Sequence, residues 1–175
     1  IKEGLGGVMG KIDSKPPKHL YSLCNQMINF LGVMQNEWAG AQSFSSFDTC
    51  LAPFVKSDNL PYKDVKNCIE NPPSRWGTQA PFSNITLDWT VPEDMKDKHP
   101  VIGGREADFT YGDCQAEMDT VNRAFMEVMT EGDANGSGLA YPIPTYAIDK
   151  DFDWSDKLNN RLLFSMAEKY GTPYF

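Results

Sequence analysis

Residues 20–38 carry the pattern that narrows this chain's options furthest. Leu20, Leu23, Cys24, Met27, Leu31, Met34 and Trp38 recur at steps of three and four, drawing one continuous apolar stripe along a helix. Tyr21, Ile28 and Gln35 mark a second, partial stripe on another face. A helix apolar on two sides is buried on two sides, either inside a core or against a partner chain. The stretch 25–48, NQMINFLGVMQNEWAGAQSFSSFD, runs from this helix through the small-residue turn Ala39-Gly40-Ala41 into the Ser-rich start of a second helix. By periodicity alone this is a core helix in a helix-rich α/β unit.

At 175 residues the chain can bury a sizeable core. A formal net charge of −8 and a pI near 4.7 argue against a nucleic-acid partner, because phosphate neutralisation needs a basic face. No apolar run is long enough to span a bilayer, and no signal peptide opens the sequence. Cys24, Cys50, Cys68 and Cys114 are widely spaced with no C-x-x-C pair, which predicts reduced structural thiols in a cytoplasmic protein. The sequons at Asn84-Ile85-Thr86 and Asn135-Gly136-Ser137 matter only in a secreted protein. The missing initial Met and the stop just after Gly171-Thr172-Pro173 create the expectation of an internal segment of something larger.

Residues 1–18 form a Gly-rich, Lys-studded loop whose GLGGVMGKI superficially resembles a phosphate loop. That motif needs Gly where Leu5 stands and Ser or Thr where Ile12 stands, so the reading is rejected. Lys11, Lys15 and Lys18 still precede a helix N-terminus, where free amides and the macrodipole favour an anion; a solvated loop is the alternative. His19 and His99 have no second ligand at metal spacing.

Ser45 and Ser46 are expected to cap a helix over 47–55, an interaction worth about 1 kcal/mol. Asp58-Asn59-Leu60-Pro61 breaks it, and 62–70 reads as a short helix ended by Asn71-Pro72-Pro73. Ser83, Ile85 and Leu87 alternate with Asn84, Thr86 and Asp88, predicting a strand that is either a barrel wall or a sheet edge. Residues 91–108 read as a polar loop. Thr110 and Asp113 resemble a capping box opening a helix to about 131, with Cys114, Met118, Val121, Phe125 and Val128 as its stripe. A strand follows over 139–148, limited by Pro142 and Pro144. Asp149, Asp151 and Asp153 mimic a calcium loop, but Trp154 and Asn160 replace its required Gly and Glu. They read instead as the lead-in to a Ser155-capped helix over 156–170 burying Leu158, Leu162 and Met166. Helices alternating with strands give an α/β fold, in part of a barrel.

The runs GLGGVMGKIDSKPPKHL, NEWAGAQSFSSFD, SRWGTQAPFSNITLD, GDANG, YPIPTY and AEKYGTPYF, in this order, resemble the catalytic subunit of the anaerobic (class III) ribonucleoside-triphosphate reductases. The resemblance implies part of the ten-stranded α/β barrel of glycyl-radical enzymes, with dimer-interface helices. It implies an enzyme reducing ribonucleoside triphosphates to deoxyribonucleotides through a thiyl radical made by a glycyl radical. An activating enzyme using S-adenosylmethionine and an iron-sulfur cluster generates that radical. Residues 1–38 then correspond to the effector loop and homodimer helix, with Asp13, Lys18 and Gln26 as binders of dNTP or ATP effectors. Residues 74–175 correspond to barrel strands and helices, with Gln79, Ser83 and Asn84 as candidate substrate contacts. The sequence departs from the family by lacking its radical cysteine, its R-x-x-G-[YFW]-x-G site, its paired C-x-x-C zinc motif and its ATP cone. It also looks shorter between Glu70 and Pro73. None of its four cysteines matches the radical position. The resemblance leaves two other readings open, a non-catalytic dimerising dNTP-binding fragment and another glycyl-radical enzyme.

Overall fold

The computed structural model describes residues 14–35, 40–70, 82–133, 135–150 and 152–175. Helix α1 (Leu20–Met34) leads to strand β1 (Gln42–Phe44), then α2 (Phe47–Ser57) and α3 (Tyr62–Glu70). Strand β2 (Ser83–Leu87) is followed by the one-turn α4 (Glu93–Lys96) and the short strands β3 (Val101–Ile102) and β4 (Arg105–Glu106). A 3-10 turn at Gly112–Cys114 opens α5 (Gln115–Glu131), and β5 (Ile143–Tyr146) precedes α6 (Leu158–Tyr170).

The sheet is parallel, in the order β1-β2-β5. Ser43 pairs with Asn84, Ile85 with Pro144 and Thr86 with Thr145. Strand β2 is therefore central among the described residues, which removes the edge-strand alternative. Beyond β5 the backbone of Tyr174 continues the ladder, donating to Pro144 O at 3.0 Å and accepting from Tyr146 N at 2.9 Å. The protein is thus a mixed α/β fold with a parallel sheet.

Two apolar clusters share α5. One joins Leu20, Leu23 and Met27 of α1 to Leu51, Phe54 and Val55 of α2, Val65 of α3, and Val121 and Ala124 of α5. The other sets Ile85, Leu87 and Tyr146 of the sheet against Phe125, Met126 and Met129 of α5, with Phe152 and with Leu163 and Met166 of α6. The α5 stripe is buried as its spacing predicts. Among the described residues α5, rather than α1, is the helix enclosed on two sides: Tyr21 on the second stripe of α1 is 67% exposed. Residues 36–39, including Trp38, lie outside the described residues.

Helix starts differ from expectation for physical reasons. Ser46 precedes α2 with φ +52° and makes no side-chain cap, because its N–H is turned to Thr86 Oγ1 at 3.2 Å. Helix α6 begins at Leu158, two residues late, without a Ser155 cap. Asn160 Nδ2 holds the carbonyls of Asp153 and Ser155 at 2.6 and 2.7 Å, and Ser155 N–H donates to Asp153 Oδ1, so the lead-in closes as its own turn. The buried line of α6 is Asn160, Leu163 and Met166, which leaves Leu158 50% exposed. At α5, Thr110 N and Oγ1 both donate to Asp113 Oδ2 at 2.9 Å, so the acid closes the turn ahead of the helix.

The supposed polar loop at 91–108 holds the β3–β4 hairpin. Its turn residue Gly103 has φ +60°, donates its N–H to Pro17 O at 2.8 Å, and lies so close to Lys18 that a Cβ there would stand 2.8 Å from the lysine Cγ. Only glycine meets both demands.

Candidate functional site

Period-2 alternation divides the sheet into two unlike faces. Gln42, Ser83, Ile85, Leu87, Pro144 and Tyr146 are buried under the helices. Ser43, Asn84, Thr86, Ile143 and Thr145 occupy the other face, where Ser43 is exposed and the rest are half-buried. Parallel sheets are normally covered on both sides by apolar residues. Here one side carries, apart from Ile143, neutral hydrogen-bonding groups, joined across all three strands by long contacts. Ser43 Oγ lies 3.4 Å from Asn84 Oδ1, and Asn84 Nδ2 lies 3.5 Å from Thr145 Oγ1. Of the sequence-predicted substrate residues, Asn84 lies on this polar face and Ser83 on the helix-covered one, while Gln79 lies outside the described residues.

The carboxyl ends of β1 and β2 are tied together by a residue that the sequence reading passed over. Asp48, in the first turn of α2, is fully buried. Its Oδ1 accepts the N–H groups of Asp88 at 2.8 Å and Thr49 at 3.0 Å. Its Oδ2 accepts Trp89 N–H and Asn122 Nδ2, both at 2.9 Å. Burial pushes this carboxyl above its ordinary 3.8, the donors from Asp88, Asn122 and Trp89 pull it back, and the Asp88 charge adds a further upward push. Trp89 has φ +65°, and Thr90 N–H reaches back to Asp88 O at 2.7 Å, which makes a tight three-residue turn. The Trp89 ring packs on Tyr146 and Phe152, with centroids 5.4 and 5.3 Å away. The Asp88 side chain in turn accepts Thr49 Oγ1–H at 2.6 Å. The one signal in the sequence was an acid set among apolar residues at a helix start.

Tyr146 lies beneath this rim. Its hydroxyl, wholly buried, has no hydrogen-bond partner among the described residues. Burial, with the Asp48 charge adding to it, drives its pKa well above the usual tyrosine range. Replacing Tyr146 by Phe is expected to raise stability by about 1 kcal/mol, because an unsatisfied buried hydroxyl is removed without changing the ring. Denaturant unfolding of the two proteins checks this.

Two of the predicted effector residues, Lys18 and Gln26, are among the described residues. Gln26 Nε2 donates to Lys15 O at 2.7 Å, so α1 holds the incoming segment directly. Gln26 Oε1 is buried without a partner among the described residues. Lys18 is exposed beside the β3–β4 turn, while Asp13 lies outside the described residues. The N-terminus of α1 already has an anion. Asp58 accepts Leu20 N–H at 2.9 Å and sits 2.8 Å from His19 Nδ1. One of the amides expected to be free at that helix end is therefore taken by Asp58.

The four cysteines are free thiols. Burial pushes Cys24 and Cys114 up to about 12 and raises Cys68, which is the opposite of what activates a thiolate. Among the described residues no three His, Cys, Asp or Glu side chains are grouped to hold a metal, and no helix is long and apolar enough to cross a membrane.

Comparison with known proteins places this geometry. Among curated proteins none matches the chain. Solved anaerobic ribonucleotide reductase structures from Thermotoga maritima share its fold. The complex with dATP and CTP gives a TM-score of 0.65 at 21% identity, over 97% of this chain and 30% of that one. The structure with glycerol in the active site gives 0.64 at 22% identity, over 92% of this chain and 28% of that one. The structure with citrate in the active site gives 0.61 at 21% identity, over 90% and 30%. The chain therefore spans less than a third of the length of these relatives. Its whole sequence, residues 1–175, matches the family described as anaerobic ribonucleoside-triphosphate reductase, and the chain belongs to that family.

Proposed function

We propose that this chain is part of the catalytic barrel of an anaerobic ribonucleoside-triphosphate reductase. In this reading the sheet face that carries Ser43, Asn84, Thr86 and Thr145 is turned toward the ribonucleoside triphosphate. The observation that carries it is the row Ser43, Asn84, Thr86 and Thr145 on a parallel sheet whose other face is largely apolar and packed under helices. Neutral hydroxyl and amide groups bind and orient a polar ligand without a fixed charge, and burial by the rest of a ten-stranded barrel would exclude water from them. Gln79 stays a candidate from the sequence, whereas Ser83, turned under the helices, does not share this face.

The radical chemistry is supplied in this proposal by a glycyl radical carried elsewhere in the reductase, raised by an activating enzyme using S-adenosylmethionine and iron-sulfur chemistry. In this proposal the zinc of the family is likewise held outside this chain. The segment before α1 and the α1 face with Tyr21 would form the homodimer contact and the dNTP/ATP effector site, with Asp13, Lys18 and Gln26 as contacts. The exposure of Tyr21 and the hold of Gln26 on Lys15 support that placement. A cytoplasmic setting follows from the free thiols on this reading.

In the complete reductase, Asn84→Ala is expected to weaken CTP binding about tenfold, the loss of a hydrogen-bonding amide at a desolvated site. Equilibrium binding to the unactivated enzyme measures it. Unchanged affinity in a folded variant would remove this face from the substrate site.

A further inference from the structure

The rim above the polar face carries a device that neither the family match nor the substrate row accounts for. Asn84 and Thr86 point to one side of β2, and Asp88 is the next residue in that alternation, one step past the strand end. It is half-buried and in no ion pair among the described residues. Thr49 Oγ1 holds Asp88 Oδ2 at 2.6 Å, and the backbone amides of Asp88 and Trp89 are both gripped by the Asp48 carboxylate. Two non-glycine residues with positive φ, Ser46 and Trp89, flank this arrangement at the ends of adjacent parallel strands. Ligands of parallel α/β sheets bind beyond the carboxyl ends of their strands.

We propose that Asp88 is a substrate-orienting carboxylate that accepts the ribose hydroxyls of the nucleotide, with Thr49 and Asp48 as its positioning residues. This rests on the reading of the polar face as the substrate wall. A carboxylate accepts hydrogen bonds and repels phosphate, and among the described residues of the face, Ser43, Asn84, Thr86, Ile143 and Thr145, there is no Lys or Arg to draw the triphosphate onto it. The hydroxyl end of the nucleotide is therefore what Asp88 takes, and the phosphates point away. Thr49 fixes which oxygen is offered: with Oδ2 engaged, Oδ1, which has no partner among the described residues, is left for an incoming donor.

The test uses the complete, unactivated reductase and compares binding of CTP with binding of a CTP analogue lacking both ribose hydroxyls. Thr49→Val removes one hydrogen bond at constant shape. It is expected to weaken CTP about tenfold while leaving the analogue unchanged. Thr49→Ser, which keeps the hydroxyl, should restore CTP affinity to within about twofold. If Thr49→Val fails to fold, Asp88→Asn carries the same comparison at a half-exposed position, and it too should weaken CTP selectively. Equal losses for CTP and analogue, or no loss for CTP in folded variants, overturn the proposal. Should Asn84→Ala weaken CTP while Thr49→Val and Asp88→Asn do not, the substrate wall stands and Asp88 has no part in it. If none of the three variants weakens CTP, both fall.

Discussion

Asp48→Ala is expected to destabilise the fold by about 4 kcal/mol, since each buried donor left unsatisfied costs about 1–3 kcal/mol. The carboxylate satisfies the amides of Asp88 and Trp89 and the side chain of Asn122 in a place water does not reach. It also joins three elements distant in sequence, so the loss falls on the cohesion of α2, β2 and α5 together. Urea unfolding followed by circular dichroism measures the change; a loss under about 1 kcal/mol would mean the donors find other partners. The pH dependence carries the opposite sign from a surface carboxylate. Because burial raises the folded pKa above 3.8, the folded state keeps a proton that the unfolded chain has already lost. The contribution is complete below 3.8 and drains away as pH climbs through the folded value. Against Asp48→Asn, which does not titrate, the wild type should therefore lose ground as pH rises through that window.

Phe125→Ala should cost about 4 kcal/mol, the range for deleting a buried aromatic ring that leaves a cavity behind. Phe125 is 3% exposed, meets the Phe47 ring at 6.3 Å, and lies on α5, which gives buried residues to both apolar clusters. Leu158→Ala is the matched control: half exposed, it should change stability by less than about 0.5 kcal/mol. Thermal unfolding of the pair separates them. Equal effects would contradict the placement of α5 as the shared helix.

The parts of this architecture readable from sequence are those fixed by local pattern. Pro61 and Asn71-Pro72-Pro73 bracket α3, and its bounds follow. The alternation from Ser83 to Leu87 marks β2, and the spacing from Cys114 to Val128 marks the buried side of α5. Local pattern misleads where a long-range partner overrides it. Leu158 has the right spacing for a core position, but Asn160 closes the preceding turn and rotates it outward. Ser46 has the composition of a cap, but its amide is claimed by Thr86, forty residues away in sequence. The polar face was visible only as half of one strand. Its meaning depends on Ser43 and Thr145 arriving beside Asn84, and no spacing rule announces that. Asp48 is the sharpest case, since its four donors come from α2, the end of β2 and α5.

The register of the parallel strands sets how this molecule reaches its native state. Ser43 meets its neighbour on β2 across 41 residues of chain, and Asn84 meets Thr145 across 61. Neither β1–β2 nor β2–β5 can zip from a hairpin turn, so the helices between them must be brought to rest before the ladder closes. Closure entropy is spent early and rewarded late, and chains dominated by such distant pairings acquire structure slowly. Refolding should accordingly pass through a helix-rich ensemble whose unpaired strands are briefly open to one another and to neighbouring chains.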